Sequence, residues 1–115
     1  MGFARSNVDE HAIDGVMRIL PLASHNNIFI KISALACYST HLYPYSNLHE
    51  PILKVIRAFG ADRCFWGTDV TRMPKSATYL QAVQMILDFF EKISSKEKEL
   101  LMGKALMQCL NWKIS

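Results

Sequence analysis

The chain has 115 residues, of which 50% are hydrophobic, 20% charged and 10% aromatic. That length suits one modest domain and that composition a folded one, which excludes disorder, a collagen-like chain and a coiled coil. Lys and Arg number 13 against 10 Asp and Glu, a net charge of +3 at pH 7. The basic residues are scattered rather than gathered in a run, so nucleic acid is not an expected partner.

No apolar run approaches the roughly 18–20 residues of a membrane span, so a membrane is not an expected partner either. The opening MGFARSNVDEHAIDG lacks an apolar stretch followed by a small-residue cleavage site, which argues against a secretory signal. The cysteines Cys37, Cys64 and Cys109 form no C-x-x-C pair. Their odd number and wide spacing fit neither a disulfide framework nor a structural zinc site, and a reducing compartment, the cytoplasm, is expected. Cys64 and Cys109 lie in apolar segments and read as small core hydrophobes.

Taken in chain order, the first element is a helix over residues 8–24, with Ile13, Val16, Met17, Leu20 and Ala23 at helical spacing. Pro21 should kink or shorten it. Residues 28–33, IFIKIS, are β-branched, aromatic and almost continuously apolar, as in a strand buried on both faces. A loop rich in Tyr, Ser and Thr follows to Ser46, in which Tyr38, Tyr43 and Tyr45 read as packing residues. The next helix has Asn47 to cap it, Pro51 in its first turn and Gly60 to stop it. Its apolar stripe is Leu48, Ile52, Val55, Ile56 and Phe59, and Glu50 and Lys54 are spaced as an i,i+4 ion pair. Residues 63–66, RCFW, form a second short buried strand. After a loop holding Pro74, Ser76 is placed to cap a long helix with Tyr79, Ala82, Val83, Ile86, Phe90 and Ile93 on one face. Ser94-Ser95-Lys96-Glu97 is a capping box opening a last helical region to about Leu110, broken at Gly103.

Strands alternating with helices of this length imply parallel β/α units. Two strands make a poor parallel sheet, because both edges stay unpaired. The sequence describes part of a sheet better than a whole one.

Chemistry in such folds gathers at the carboxyl ends of strands. Two ends are available, Lys31-Ile32-Ser33 and Trp66-Gly67-Thr68-Asp69. An acidic residue just past a buried strand can ligate a metal, take a proton from an attacking water, or cap the next turn. Arg72 can pair with a substrate carboxylate or pin its own loop. His11, His25, His41 and His49 have no ligand spacing and read as surface or locally hydrogen-bonded residues.

The stretch FGADRCFWGTDVTRMP resembles the closing strand of the amidohydrolase-related family, metal-dependent hydrolases with a TIM-barrel fold. There a phrase of the form fG-x-d-R-(apolar)2-W-G-(S/T)-D-x-P-r ends the eighth strand. The match runs over Phe59, Gly60, Asp62, Arg63, Phe65, Trp66, Gly67, Thr68, Asp69 and Arg72. Residues 27–33 resemble the preceding strand, N-V-(apolar)-V-K-L-S-G. Gly103, Ala105, Leu106, Leu110 and Trp112 resemble the family's closing G-x-A-L-x-x-x-L-x-W. Val70-Thr71 stands where Trp-Pro is common, and Pro74 comes later, so the specificity loop departs from the pattern.

The resemblance implies an α/β fold, the C-terminal portion of a (β/α)8 TIM barrel: its last two β/α units plus terminal helices, over residues 1–115. A whole barrel takes about 250 residues. Met1-Gly2-Phe3 resembles the sequence just after the histidine that ends the family's sixth strand, and no His-x-His occurs in the chain. The resemblance further implies that Asp69 is both general base and metal ligand, that the cofactor is a divalent metal, zinc for preference, and that the substrate is a small carboxylated, lactone, ester or amide compound. Arg72, Lys31 and Ser33 become substrate-binding candidates. Two functions stay open: a metal-dependent hydrolase, or a non-catalytic barrel fragment that self-associates or docks to a complementary barrel part.

Overall fold

A computed structural model describes residues 8–114. The Met1-Gly2-Phe3 alignment therefore lies outside the described residues. Helix α1 spans Glu10–Ile19 and then tightens into a 3-10 turn, Leu20–Ser24. Pro21 stands at the start of that turn and has no N–H to give an α-helical ladder, so the expected shortening occurs there. Ala12 and Val16 face the core.

Strand β1 is Ile30–Ser33 and strand β2 is Cys64–Gly67. They pair in parallel, with Ile30 opposite Cys64 and Ser33 opposite Gly67. The crossover between them carries helix α2, His49–Phe59. Its stripe Ile52, Val55, Ile56 and Phe59 is buried, and it ends where predicted: Gly60 has φ +85° and donates its N–H to Ile56 O at 2.8 Å. A Cβ at Gly60 would stand 2.6 Å from Asp62 Oδ1, a second reason for glycine. Helix α3, Tyr79–Phe89, follows β2. Helix α4, Ser95–Glu99, opens with the predicted Ser94–Glu97 capping box and passes through a π-type turn, Leu100–Lys104, into α5, Ala105–Cys109. The backbone leaves helical geometry at Gly103, as expected. Ile32, Ile52, Ile56, Cys64, Met85, Ile86 and Leu101 form the innermost part of one buried cluster.

Several local expectations are corrected. The strand predicted over 28–33 begins at Ile30, and it is buried on one face only: Ile30 and Ile32 are inside, while Lys31 is exposed. Phe29, 43% exposed, stacks on Phe65 with ring centroids 5.4 Å apart. Asn47 does not cap α2, because its side chain serves Ser39 and Asp9 instead. Thr78, not Ser76, caps α3, in a capping box with Gln81. Tyr79 is 63% exposed rather than on the buried face. Glu50 pairs with Lys92 across the fold rather than with Lys54. Cys109 is exposed, unlike Cys64, whose burial pushes its thiol up to about 12.

Two polar clamps join segments far apart in sequence. Arg63 donates from Nε to Phe59 O, from Nη1 to His25 O and Ile28 O, and from Nη2 to Ala23 O, at 2.8–3.3 Å. One guanidinium thus ties the end of α2 to the lead-in of β1. At the other edge, Asp9 accepts from Thr40 N at 2.9 Å, from Thr40 Oγ1, and from Asn47 Nδ2 at 3.0 Å. The Thr40 bonds hold its carboxyl below the usual value of 3.8. A lowered folded-state pKa stabilises above the unfolded value and is lost as pH falls through the folded one. Amide exchange at Thr40 is therefore expected to accelerate below about pH 3.8 in the wild type. In an Asp9→Asn chain it should be pH-independent over that range, once corrected for intrinsic chemistry.

Candidate active site at the carboxyl edge of the strands

The parallel register puts the carboxyl ends of β1 and β2 side by side, and Ala34 N extends the ladder by donating to Gly67 O at 3.2 Å. Residues paired in a parallel ladder share a face. Lys31 and Ser33 thus stand on the same face as their partners Phe65 and Gly67, opposite the core. Gly67 makes room for them: a Cβ there would lie 3.2 Å from Lys31 Cε and 3.4 Å from Ser33 Cβ. The glycine of the W-G-T-D phrase lets the stem of Lys31 cross the strand.

Past both strands of the pair the backbone passes through residues in the left-handed region, Ala34 at φ +56° and Asp69 at φ +51°. Aspartate tolerates this geometry better than most residues. The Asp69 carbonyl accepts from Arg72 N at 2.9 Å and Met73 N at 3.0 Å, which folds the chain into the 3-10 turn Met73–Lys75. Its carboxylate accepts from Thr71 Oγ1 at 2.8 Å through Oδ1. Oδ2 accepts no hydrogen bond among the described residues.

Arg72 is anchored by the loop after β1. Its Nη1 donates to Tyr38 Oη at 3.0 Å, and its guanidinium carbon stands 5.2 Å from the Tyr38 ring centroid. That hydrogen bond is the main reason its pKa is raised further. Tyr38 is buried, as is Tyr45, whose hydroxyl donates to Ser76 O at 2.6 Å. The tyrosines of this loop pack, as expected. Sequence reasoning missed Tyr38 as the residue that orients Arg72, since 34 positions separate them.

The register places Lys31 and Ser33 beside Gly67, two residues before Asp69, and Arg72 follows Asp69 by one turn. A zinc or similar centre needs three or more protein ligands. Among the described residues, no three His, Cys, Asp or Glu side chains converge. Asp69 alone does not make a metal centre, and the four histidines take no part in one here. His49 Nε2 is engaged with Pro44 O at 2.8 Å, and its ring packs on Phe90.

This is an α/β unit with its polar groups at the carboxyl edge of a parallel pair, the arrangement of α/β enzymes. A family model described as Amidohydrolase matches residues 1–105, and the chain belongs to that family. No curated protein and no solved structure matches the chain. Among the described residues no helix is long and apolar enough to cross a membrane.

Proposed function

We propose that the chain carries the catalytic end of a metal-dependent hydrolase acting on a small carboxylated lactone, ester or amide. The observation supporting this is the place of Asp69, two residues past the carboxyl end of β2, in a chain of the amidohydrolase family. Asp69 acts as general base. Its carboxylate takes a proton from the water that attacks the carbonyl, and returns it to the leaving oxygen or nitrogen. Thr71 occupies Oδ1 and fixes the carboxylate, which leaves Oδ2 for the water. Arg72 pairs with a substrate carboxylate, and Lys31 and Ser33 line the floor of the same site. Asp69 is also this chain's contribution to a divalent metal centre, zinc for preference, whose other ligands come from a second copy or a complementary barrel part.

In this reading the fold is the last two β/α units of a (β/α)8 barrel with the closing helices. The face bearing Phe29, Lys31, Ser33, Phe65 and Gly67 is then the barrel interior. Each described strand pairs only with the other, so both outer edges are free to take a neighbour. Three unpaired cysteines suit a reducing compartment such as the cytoplasm. The same open edges and the lone carboxylate favour a second reading, a barrel fragment without catalysis of its own that acts by association with a complementary part or a second copy.

The test is zinc-supported hydrolysis of a panel of carboxylated lactones, esters and anilides by the purified chain. Turnover that depends on Asp69 and on association of the chain supports the first reading. Absence of turnover under conditions where the chain is folded and associated favours the second.

A further inference from the structure

Helix α3 differs from α1 and α2 in the face it turns outward. α1 exposes Glu10, Asp14 and Arg18, and α2 exposes Glu50, Lys54 and Arg57, as solvated helix faces do. α3 exposes Tyr79, Leu80 at 62% and Leu87 at 44%, with Val83 half-buried, while Met85 and Ile86 fill the core on its other side. Leu80, Val83 and Leu87 are spaced three and four apart, the spacing of a seam between paired helices.

The charges of α3 are also reversed. α1 and α2 each carry an acid in the first turn and a base in the last, Glu10 with Arg18 and Glu50 with Arg57. That order suits the helix dipole, positive at the amino end and negative at the carboxyl end. α3 has no acid in its first turn and no base in its last. From Val70 to Leu87 the chain holds Arg72 and Lys75 and no acid, and Asp88 and Glu91 follow. Cations at the carboxyl end are engaged: Lys92 with Glu50, and Lys98 with Leu87 O at 2.6 Å. Lys75, Asp88 and Glu91 form no ion pair among the described residues. These charges oppose the dipole of their own helix and suit that of a second helix running the other way.

We infer that this face of α3 is the contact between two copies of the chain, packed antiparallel about a two-fold axis near Val83 and Gln84. Such an axis sets Leu80 of each copy opposite Leu87 of the other and Lys75 of each near Glu91 of the other. The acids of each helix come beside the positive amino end of the other, whereas a parallel pair would set like charges together. The contact is self-complementary, as a two-fold interface must be. Its seam is short, at the low end of specific interfaces, so the dimer is weak. The inference rests on the reading above in which the chain associates, and names the surface and the partner.

The experiment is sedimentation velocity of the full chain at low salt, from about 5 μM to 500 μM, where a weak dimer forms and dissociates reversibly. Leu87→Gln, at an exposed position, should raise the dissociation constant about tenfold or more. Lys75→Glu and Glu91→Lys, both at exposed positions, should each raise it about threefold or more, and the two together should restore it. Each single reversal suits the dipole of α3 in the monomer, so neither should lower the denaturation midpoint of the dilute chain. A chain that stays monomeric over the whole range overturns the inference. So does a dimer that Leu87→Gln leaves intact, which would assign association to the open strand edges. A double variant no tighter than the single ones overturns the antiparallel pairing. Sedimentation needs neither zinc nor turnover, so failure of the seam and failure of the hydrolase reading are separately visible.

Discussion

Replacing Asp69 by asparagine is expected to lower zinc-supported hydrolysis about 10²–10⁴-fold, the usual contribution of a positioned general base. Asparagine is the informative choice because it keeps the local turn while removing the carboxylate. Its amide oxygen still accepts from Thr71 Oγ1 in the place of Oδ1, and it tolerates the left-handed φ of +51° as well as aspartate does. The main-chain carbonyl that receives Arg72 N and Met73 N is unchanged. The denaturation midpoint should therefore stay within the scatter of ordinary surface substitutions, about 0.5 kcal/mol. Loss of turnover with unchanged stability places the defect in the chemistry of the carboxylate, as base and as zinc ligand. An equal loss of both would make Asp69 a turn residue, the third role its sequence position allowed.

Arg63→Ala should have the largest effect on stability, about 2–4 kcal/mol. Four carbonyls on two separate segments accept from this one side chain, and its guanidinium also lies over the Phe59 ring, 5.4 Å from the centroid. Part of the cost is offset, since some of those carbonyls reach water once the arginine is gone. Lysine at this position should recover less than half of the loss, because one ammonium cannot serve carbonyls that lie in different directions. Urea denaturation followed by far-ultraviolet circular dichroism gives both values. A lysine variant as stable as wild type would mean that charge, not the fork, joins α2 to the entry of β1.

Much of this fold was legible because local signals and tertiary packing agreed. Gly60 stops α2 where a positive φ and the Asp62 side chain both exclude a Cβ, and the Ser94–Glu97 box and the break at Gly103 are likewise local matters of backbone chemistry. The order of elements followed from hydrophobic period and turn residues. Asp69 was legible as a strand-end acid because it follows an apolar run directly.

What the sequence did not disclose were choices made between distant segments. Asn47 is a good cap in isolation, but Asp9 and Ser39, 38 and 8 positions away, compete for its side chain. Glu50 could reach Lys54 along the helix and reaches Lys92 instead. A continuous apolar run does not tell which face of a strand is covered, so the exposure of Phe29 and Lys31 was hidden until the partner strand fixed the register. The same is true of the site. Arg72 was marked, but the tyrosine that aims it comes to it only in three dimensions.

We propose that Asp69 closes a hydrolase centre to which this chain contributes only a part. The most direct measurement is the profile of zinc-supported lactone and ester hydrolysis across a size-exclusion column, run for the wild type and for Asp69→Asn. Activity is expected only in species heavier than the 13.1 kDa chain, and is expected to be lost in the variant. Turnover in the monomer peak, or turnover indifferent to Asp69→Asn, would contradict it.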